Sequence, residues 1–252
     1  MIELLHTASL IHDDVVDEAY ERRGSFSISA LWRSKIAVLV GDFLLSKGLL
    51  TAVENNEYDL LKNMSNAVKE MSEGELLQIE RSRKMDIDEE TYFEIIRKKT
   101  ATFIASCTLN GACSAGSDAE ILKKMYDFGL NMGMAFQIKD DIFDFQPKGM
   151  LGKPTGNDVK EKKLTLPLIH ALAKSESSVQ KKILNQVRKS RTDSSALEAV
   201  LQFAHKEGGV DYSINKMNEY KANAKKILSG FPESPYKKAL EMLTDFIVER
   251  NS

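Results

Sequence analysis

A chain of 252 residues, 42% of them hydrophobic, is long enough to bury the core of a full domain, and nothing in it demands a second. A formal charge of −2, from 35 basic and 37 acidic residues, supplies no surplus for a polyanion and excludes nucleic acid as the expected partner. Cys107 and Cys113 stand in an apolar helix without a ligand cluster and read as core thiols of a reducing cytoplasm.

In chain order, Met1 to about Tyr20 reads as a helix whose last turns carry Asp13-Asp14-Val15-Val16-Asp17. Met1-Ile2-Glu3 lacks the basic start of a signal peptide. The helix opens without a cap, so the expectation is that the true start lies upstream. Arg22-Arg23-Gly24-Ser25 follows as a turn; two arginines beside three aspartates form either a plain salt bridge or a forked anion site. A long helix spans Ser29 to about Glu54, with Asp42 the odd residue inside it. Its most apolar run, Ile36 to Leu50, is broken by Asp42 and Lys47 and is too short to cross a bilayer, so no transmembrane segment is expected.

The next helix, about Tyr58 to Lys84, holds Gly74, and glycine inside a helix marks a close helix contact. Residues Asp86 to Glu90 cap a helix that reaches about Ser114 and includes Arg97-Lys98-Lys99-Thr100, which could be a basic surface patch. Ser117 or Asp118 starts a helix in which Gly129, Met132, Gly133 and Met134 suit either an apolar tunnel or core packing, and which ends in Asp140-Asp141-Ile142-Phe143-Asp144. The stretch Gln146 to Pro167, with three prolines among its residues before Leu168 and five lysines, is the clearest loop and reads as a closing lid. Helices at about Leu168 to Lys189, Ser194 to Lys206, Gly209 to Leu228 and Tyr236 to Arg250 look like scaffold, and His170 and His205 read as structural. No strand alternation, nucleotide-cradling glycine loop or Ser/His/Asp arrangement stands out.

The two Asp-Asp-x-x-Asp segments, 127 positions apart, carry the chemistry. Residues four apart on a helix lie about 40° apart around its axis, so Asp13 and Asp17 share a face, as do Asp140 and Asp144. Carboxylates crowded into apolar surroundings repel one another unless a cation sits between them. All-carboxylate ligation points to Mg²⁺ shared with phosphate oxygens, and two such helices facing each other across a cavity would hold a diphosphate.

The two motifs, together with Arg22-Arg23-Gly24, Gly41-Asp42, Glu73-Gly74-Glu75 with Gln78, Lys99-Thr100, and Gly152-Lys153 through Asp158 to Lys163-Leu164-Thr165-Leu166-Pro167, resemble the trans-prenyltransferases. These are the polyprenyl diphosphate synthases of the isoprenoid-synthase class, and the resemblance covers nearly the whole chain. It implies an all-α, isoprenoid-synthase-like helical bundle around a central cavity, in a single domain over residues 1–252. It further implies three Mg²⁺ ions with substrate bound, held directly by Asp13, Asp17 and Asp140, with Asp14, Asp141 and Asp144 completing the metal set in supporting roles. Lys99 and Lys163 are implied in catalysis. His6, Arg22, Arg23, Lys99, Thr100, Gln137, Lys153 and Lys163 are implied in binding an allylic diphosphate and isopentenyl diphosphate.

The family begins earlier, with helices carrying a Gly-Gly-Lys-Arg-type motif, so an N-terminal portion is expected to be missing and the isopentenyl diphosphate site weakened. A homodimer and transient membrane contact for product release complete the implied picture. Ala8 and Ser9, five and four positions before Asp13, are small where short-chain members carry aromatics, and predict a long-chain product. The rival readings are a class I terpene cyclase, a noncatalytic partner subunit and a His-Asp phosphohydrolase built on His12-Asp13.

Overall fold

The structure is a computed structural model that describes residues 1–22, 24–146 and 156–250. Its chain divides into two compact units, Met1–Asn66 and Ala67–Ser252.

In the first unit, α1 (Ile2–Val16) leads through a hairpin of β1 (Glu21–Arg22) and β2 (Ser25–Phe26) into α2 (Ile28–Glu54). The hairpin is a feature that sequence reading passed over, because two-residue strands show no alternation. Gly24, at φ +77°, takes the left-handed turn position. Ser27 then caps α2: its hydroxyl accepts the Ala30 N–H at 3.1 Å and donates to the Ala19 carbonyl at 2.6 Å. Inside α2, Trp32 and Arg33 leave helical geometry.

Small residues of α2, Ala37, Gly41, Gly48 and Ala52, are its buried positions. They let α1 approach closely: a Cβ at Gly48 would stand 3.3 Å from Leu5, and one at Gly41 would enter the His12 ring. The large apolar residues Leu31, Trp32, Leu39 and Phe43 are exposed instead. The apolar segment is also longer than the run Ile36 to Leu50 suggested. Capping at Ser27 starts the helix early, and its 27 residues are long and apolar enough by length and composition to cross a membrane, with 22% of the apolar window buried.

The second unit begins within α3 (Tyr58–Lys84) and continues through α4 (Glu89–Ile96), a π-helical turn (Arg97–Ala101), α5 (Thr102–Ser114) and α6 (Ala119–Phe143). After α6 come α7 (Asn157–Lys160), α8 (Leu166–Ala173), α9 (Ser177–Lys189), α10 (Ser194–Lys206), α11 (Gly209–Ser229) and α12 (Pro235–Glu249). Asp88, Asp118, Asp193 and Ser234 cap α4, α6, α10 and α12 through their side chains.

α6 runs between α5 and α11. Gly129 makes the first contact possible, since a Cβ there would meet the Ala105 Cα at 2.7 Å. Ile138, Phe145, Leu166, Leu168, Val187 and Val200 form the driest part of the core, each such side chain stabilising the fold by roughly 1.5–3 kcal/mol. Met132 and Met134 are buried, each in one of the two core clusters.

Three local expectations change. The helix expected from Leu168 to Lys189 is two, because Gln180 Nε2 donates to the carbonyls of Leu172 (3.0 Å) and Ser175 (2.9 Å) and ends α8. The helix expected from about Asp86 to Ser114 contains a π-helical turn. The segment read as one loop from Gln146 to Pro167 contains α7 and the start of α8, and its residues 147–155 lie outside the described ones.

Candidate active site

The second aspartate motif ends α6, and its three carboxylates meet different partners. Asp140 forms an ion pair with Arg250, whose guanidinium lies over the Phe136 ring (4.3 Å) and near that of Phe143 (5.5 Å). Asp141 is buried; it accepts the Tyr92 hydroxyl at 2.7 Å and the Gln137 amide at 2.9 Å, and Gln137 in turn accepts the Thr100 hydroxyl at 2.7 Å. Burial pushes Asp141 up to about 7, against the pull of those two donors, and Asp140 and Asp144 add to the rise. Asp144 accepts the backbone N–H groups of Asn157 (2.8 Å) and Asp158 (3.0 Å). Burial raises Asp144 as well, and it raises Asp158 further, with the charges of Asp141 and Asp144 adding to the effect.

The π-helical turn displays Lys99 and Thr100. An extra residue in a turn widens the helix, and two glycines admit the widened part. A Cβ at Gly74 on α3 would stand 2.8 Å from the Lys99 nitrogen, and one at Gly133 on α6 would stand 2.5 Å from the Ala101 Cα. Lys99 pairs with Glu75 at 2.5 Å, while Lys98 pairs with Glu73 and Glu94, each at 3.3 Å. Lys163 pairs with Glu161 at 2.7 Å. Lys99, Thr100, Gln137, Asp140, Asp141, Asp158 and Lys163, with Gln78 and Tyr92, line one cavity of about 200 Å³, whose apolar walls include Ile87, Ile95, Ile96 and Leu164.

The first motif lies in the other unit. Asp14 is buried and accepts Arg22 Nε at 2.6 Å, an ion pair that leaves the rest of the guanidinium fork for other partners. Asp17 ends α1, its N–H donating to the Asp13 carbonyl at 2.8 Å. His12 packs on Gly41 with its ring nitrogen 3.3 Å from Asp42, and Ser9 donates to the His6 carbonyl at 2.8 Å. Ala8 is buried. Arg23 and Lys153 lie outside the described residues.

Thus the second unit brings Lys99, Thr100, Gln137, Asp140, Asp141 and Lys163 to one cavity, and the sequence reading had missed Tyr92, Asp158 and Arg250 as their partners. Tyr92 had a signal, a phenol two helical turns before Lys99 on the stripe of Ile95 and Ile96. Asp158 stood inside a quoted motif without a role, and Arg250 had no signal at all.

A family model described as Polyprenyl synthetase matches residues 1–204. The chain belongs to the polyprenyl synthetase family. Among its relatives, the all-trans-nonaprenyl-diphosphate synthase (geranyl-diphosphate specific) of Rhodobacter capsulatus is 38% identical over 99% of this chain and 76% of its own length. Component 2 of the heptaprenyl diphosphate synthase of Bacillus subtilis is 35% identical over 99% of this chain and 71% of its own. The crystal structure of a polyprenyl synthase from Caulobacter crescentus, complexed with calcium and isoprenyl diphosphate, superposes with a TM-score of 0.91 at 36% identity, over 100% of this chain and 77% of that one.

As a polyprenyl synthetase, the protein is an all-α trans-prenyltransferase, and the cyclase and phosphohydrolase readings fall away. Its donor set fits a hard divalent cation: the cavity is lined by oxygen donors, among them Asp141 and Asp158, whose carboxyls burial and neighbouring carboxylates push upward, a rise that positive charge opposes. Among the described residues no three His, Cys, Asp or Glu side chains are grouped to hold an ion unaided.

Proposed function

We propose that this polyprenyl synthetase joins isopentenyl diphosphate to an allylic diphosphate, repeatedly and in trans geometry, to make a product of more than about four isoprene units. One observation carries the reading: the cavity of the second unit has cations, hydroxyl and carboxylates around it and aliphatic walls of Ile87, Ile95, Ile96 and Leu164. Asp13, Asp17 and Asp140 are the direct metal ligands in this proposal. Asp14, Asp141 and Asp144 support them. Bound Mg²⁺ ions, three with substrate present, would supply the positive charge that stabilises the departing diphosphate.

Lys99, Thr100 and Lys163 donate to diphosphate oxygens, the lysines exchanging Glu75 and Glu161 for substrate. Gln137 fixes Thr100 and Asp141. His6, Arg22, Arg23 and Lys153 complete the substrate contacts. The aliphatic walls keep water from the allylic cation, which would otherwise end as an alcohol. The double bond of isopentenyl diphosphate attacks that cation, and the proton then lost goes to the released diphosphate, so no side-chain base is required.

The small Ala8 and Ser9 support a long product, of about seven or eight units, because each helical turn of about 5.4 Å is of the order of one extended isoprene. Incubation with labelled isopentenyl diphosphate, a primer and Mg²⁺, followed by product sizing, tests this. A ladder beyond four units supports the reading, and a cyclised or hydrolysed product rejects it.

We also propose a cytoplasmic homodimer that touches membrane only to release product. The exposed apolar residues of α2 support self-association. A hetero-oligomer is the second reading, favoured by the relative named as a component 2. Sedimentation equilibrium of the purified chain separates the two: a species of twice 28.3 kDa supports the homodimer.

A further inference from the structure

We propose that Asp144, the last aspartate of the second motif, is a positioning residue that clamps α7 against the end of α6 and thereby sets Asp158 and Lys163 at the cavity. This rests on the prenyl-transfer reading of that cavity and removes Asp144 from direct contact with metal.

Both carboxylate oxygens of Asp144 are already directed at backbone donors. One accepts the Asn157 N–H at 2.8 Å and the other the Asp158 N–H at 3.0 Å, while the Asp144 carbonyl accepts the Gly156 N–H at 2.9 Å. Three successive amides thus converge on one residue, the arrangement of a capping carboxylate. Gly156 makes the convergence possible. It sits at φ +78°, where L side chains are strained, and a Cβ there would stand 2.6 Å from a Leu197 methyl.

Beyond the cap, Val159 is fully buried and its carbonyl accepts the Ser190 hydroxyl at 3.2 Å, so α7 is held from both sides. The next bond reaches the site, since the Lys163 N–H donates to the Asp158 carbonyl at 2.8 Å. Asp158 and Lys163 line the cavity together with Asp140 and Asp141; among the described residues, Asp144 does not. A cation at Asp144 would compete for the charge of oxygens that already hold this segment in place. The i,i+4 spacing that puts Asp140 and Asp144 on one stripe therefore serves two tasks, one directed into the cavity and one directed at the chain that returns to it.

The test compares Asp144→Ala, Asp144→Asn and Asp140→Ala in the full chain, using hydrogen exchange, Mn²⁺ affinity by titration without substrate, and kcat against KM. Losing a cap of ordinary strength speeds exchange of the Asn157 and Asp158 amides roughly tenfold in Asp144→Ala. Mn²⁺ affinity stays within about twofold of the parent, since a capping group contributes no metal bond. Asp144→Asn keeps one acceptor and turns a donor toward the other amide, so it restores protection at one of Asn157 and Asp158 and part of kcat.

Equal loss in the Asn and Ala variants, with weakened Mn²⁺ binding and unchanged exchange, overturns the clamp and makes Asp144 a ligand. Should Asp144→Ala fail to fold, the Asn variant decides alone: retained Mn²⁺ affinity with protection lost at one of the two amides supports the clamp, and loss of Mn²⁺ affinity with unchanged protection rejects it. Exchange and Mn²⁺ binding are read without substrate, so they stand apart from a failure of the unaltered protein to transfer prenyl groups.

Discussion

Asp14 and Asp141 hold the same place in two Asp-Asp-x-x-Asp motifs, and each is 4% exposed. Their partners differ in kind. Asp14 accepts from the cationic Arg22, whereas Asp141 accepts from a phenol and an amide. A guanidinium cancels charge as well as donating hydrogen bonds; neutral donors orient a carboxylate but leave its charge in place. The second motif accordingly carries an electrostatic deficit, with Asp141, Asp144 and Asp158 all raised by burial. The middle aspartate of the same five-letter pattern is thus paired with a cation in one place and with neutral donors in the other.

The largest test asks whether the two motifs are nevertheless equal in catalysis. Asp13→Ala and Asp140→Ala should each lower turnover by on the order of 10²–10³-fold, the scale of losing a group that stabilises transition-state charge. Circular dichroism should show both folded. Near-normal turnover in either variant would refute its place among the ligands.

Glycine contacts sharpen the comparison next. Gly133→Ala pushes a methyl against the Ala101 backbone, which cannot rotate away, and should cost about 1–3 kcal/mol in denaturant unfolding while displacing Lys99 and Thr100. Gly41→Ala meets first the His12 ring, a side chain about a third exposed that can turn, so its cost should be the smaller of the two.

A change of sign follows from the middle aspartates. The folded-state value of Asp141, about 7, lies above its usual 3.8, so between those pH values the folded protein keeps a proton that the unfolded chain releases. Stability therefore falls as pH rises through that window, and the full penalty stands above about pH 7. In chelator at pH 8, Asp141→Asn should raise the melting temperature by removing the charge, and at pH 5 the gain should shrink. Asp14→Asn should instead destabilise by about 1 kcal/mol at pH 8, because Arg22 loses its anion. Two losses of equal size would erase the distinction between the motifs.

Much of the fold was legible because its punctuation is local. Ser194 to Lys206 and Tyr58 to Lys84 fall at the predicted limits, and acidic caps at Asp88, Asp118 and Asp193 mark starts by a bond that spans three residues or fewer. The π-helical turn was not legible, since one added residue leaves no pattern in a segment that stays apolar on one face; only Gly74 and Gly133 hinted at the room it needs. In the site, Lys99, Thr100, Gln137 and the aspartates were found by motif. Tyr92 and Arg250 were not, because their meeting with Asp141 and Asp140 spans 49 and 110 positions and depends on packing that no spacing encodes.

The smallest expected effect on rate concerns product length and the helix that bears the first motif. Ser9 lies four positions before Asp13, one turn or about 5.4 Å below it, and its hydroxyl returns to the His6 carbonyl at 2.8 Å. It is half-buried. Ala8 is 1% exposed, and a phenyl ring there would be forced into the packed first unit at a cost of about 1–3 kcal/mol. Ser9→Phe is therefore the cleaner probe. It should leave consumption of isopentenyl diphosphate per cycle within about threefold, as the diphosphate end is untouched, and shorten the product toward about three or four units, each unit matching roughly one turn. Ala8→Phe should register first as a lower melting temperature. An unchanged product ladder in a folded Ser9→Phe enzyme would show that the chain-length limit lies elsewhere than on α1.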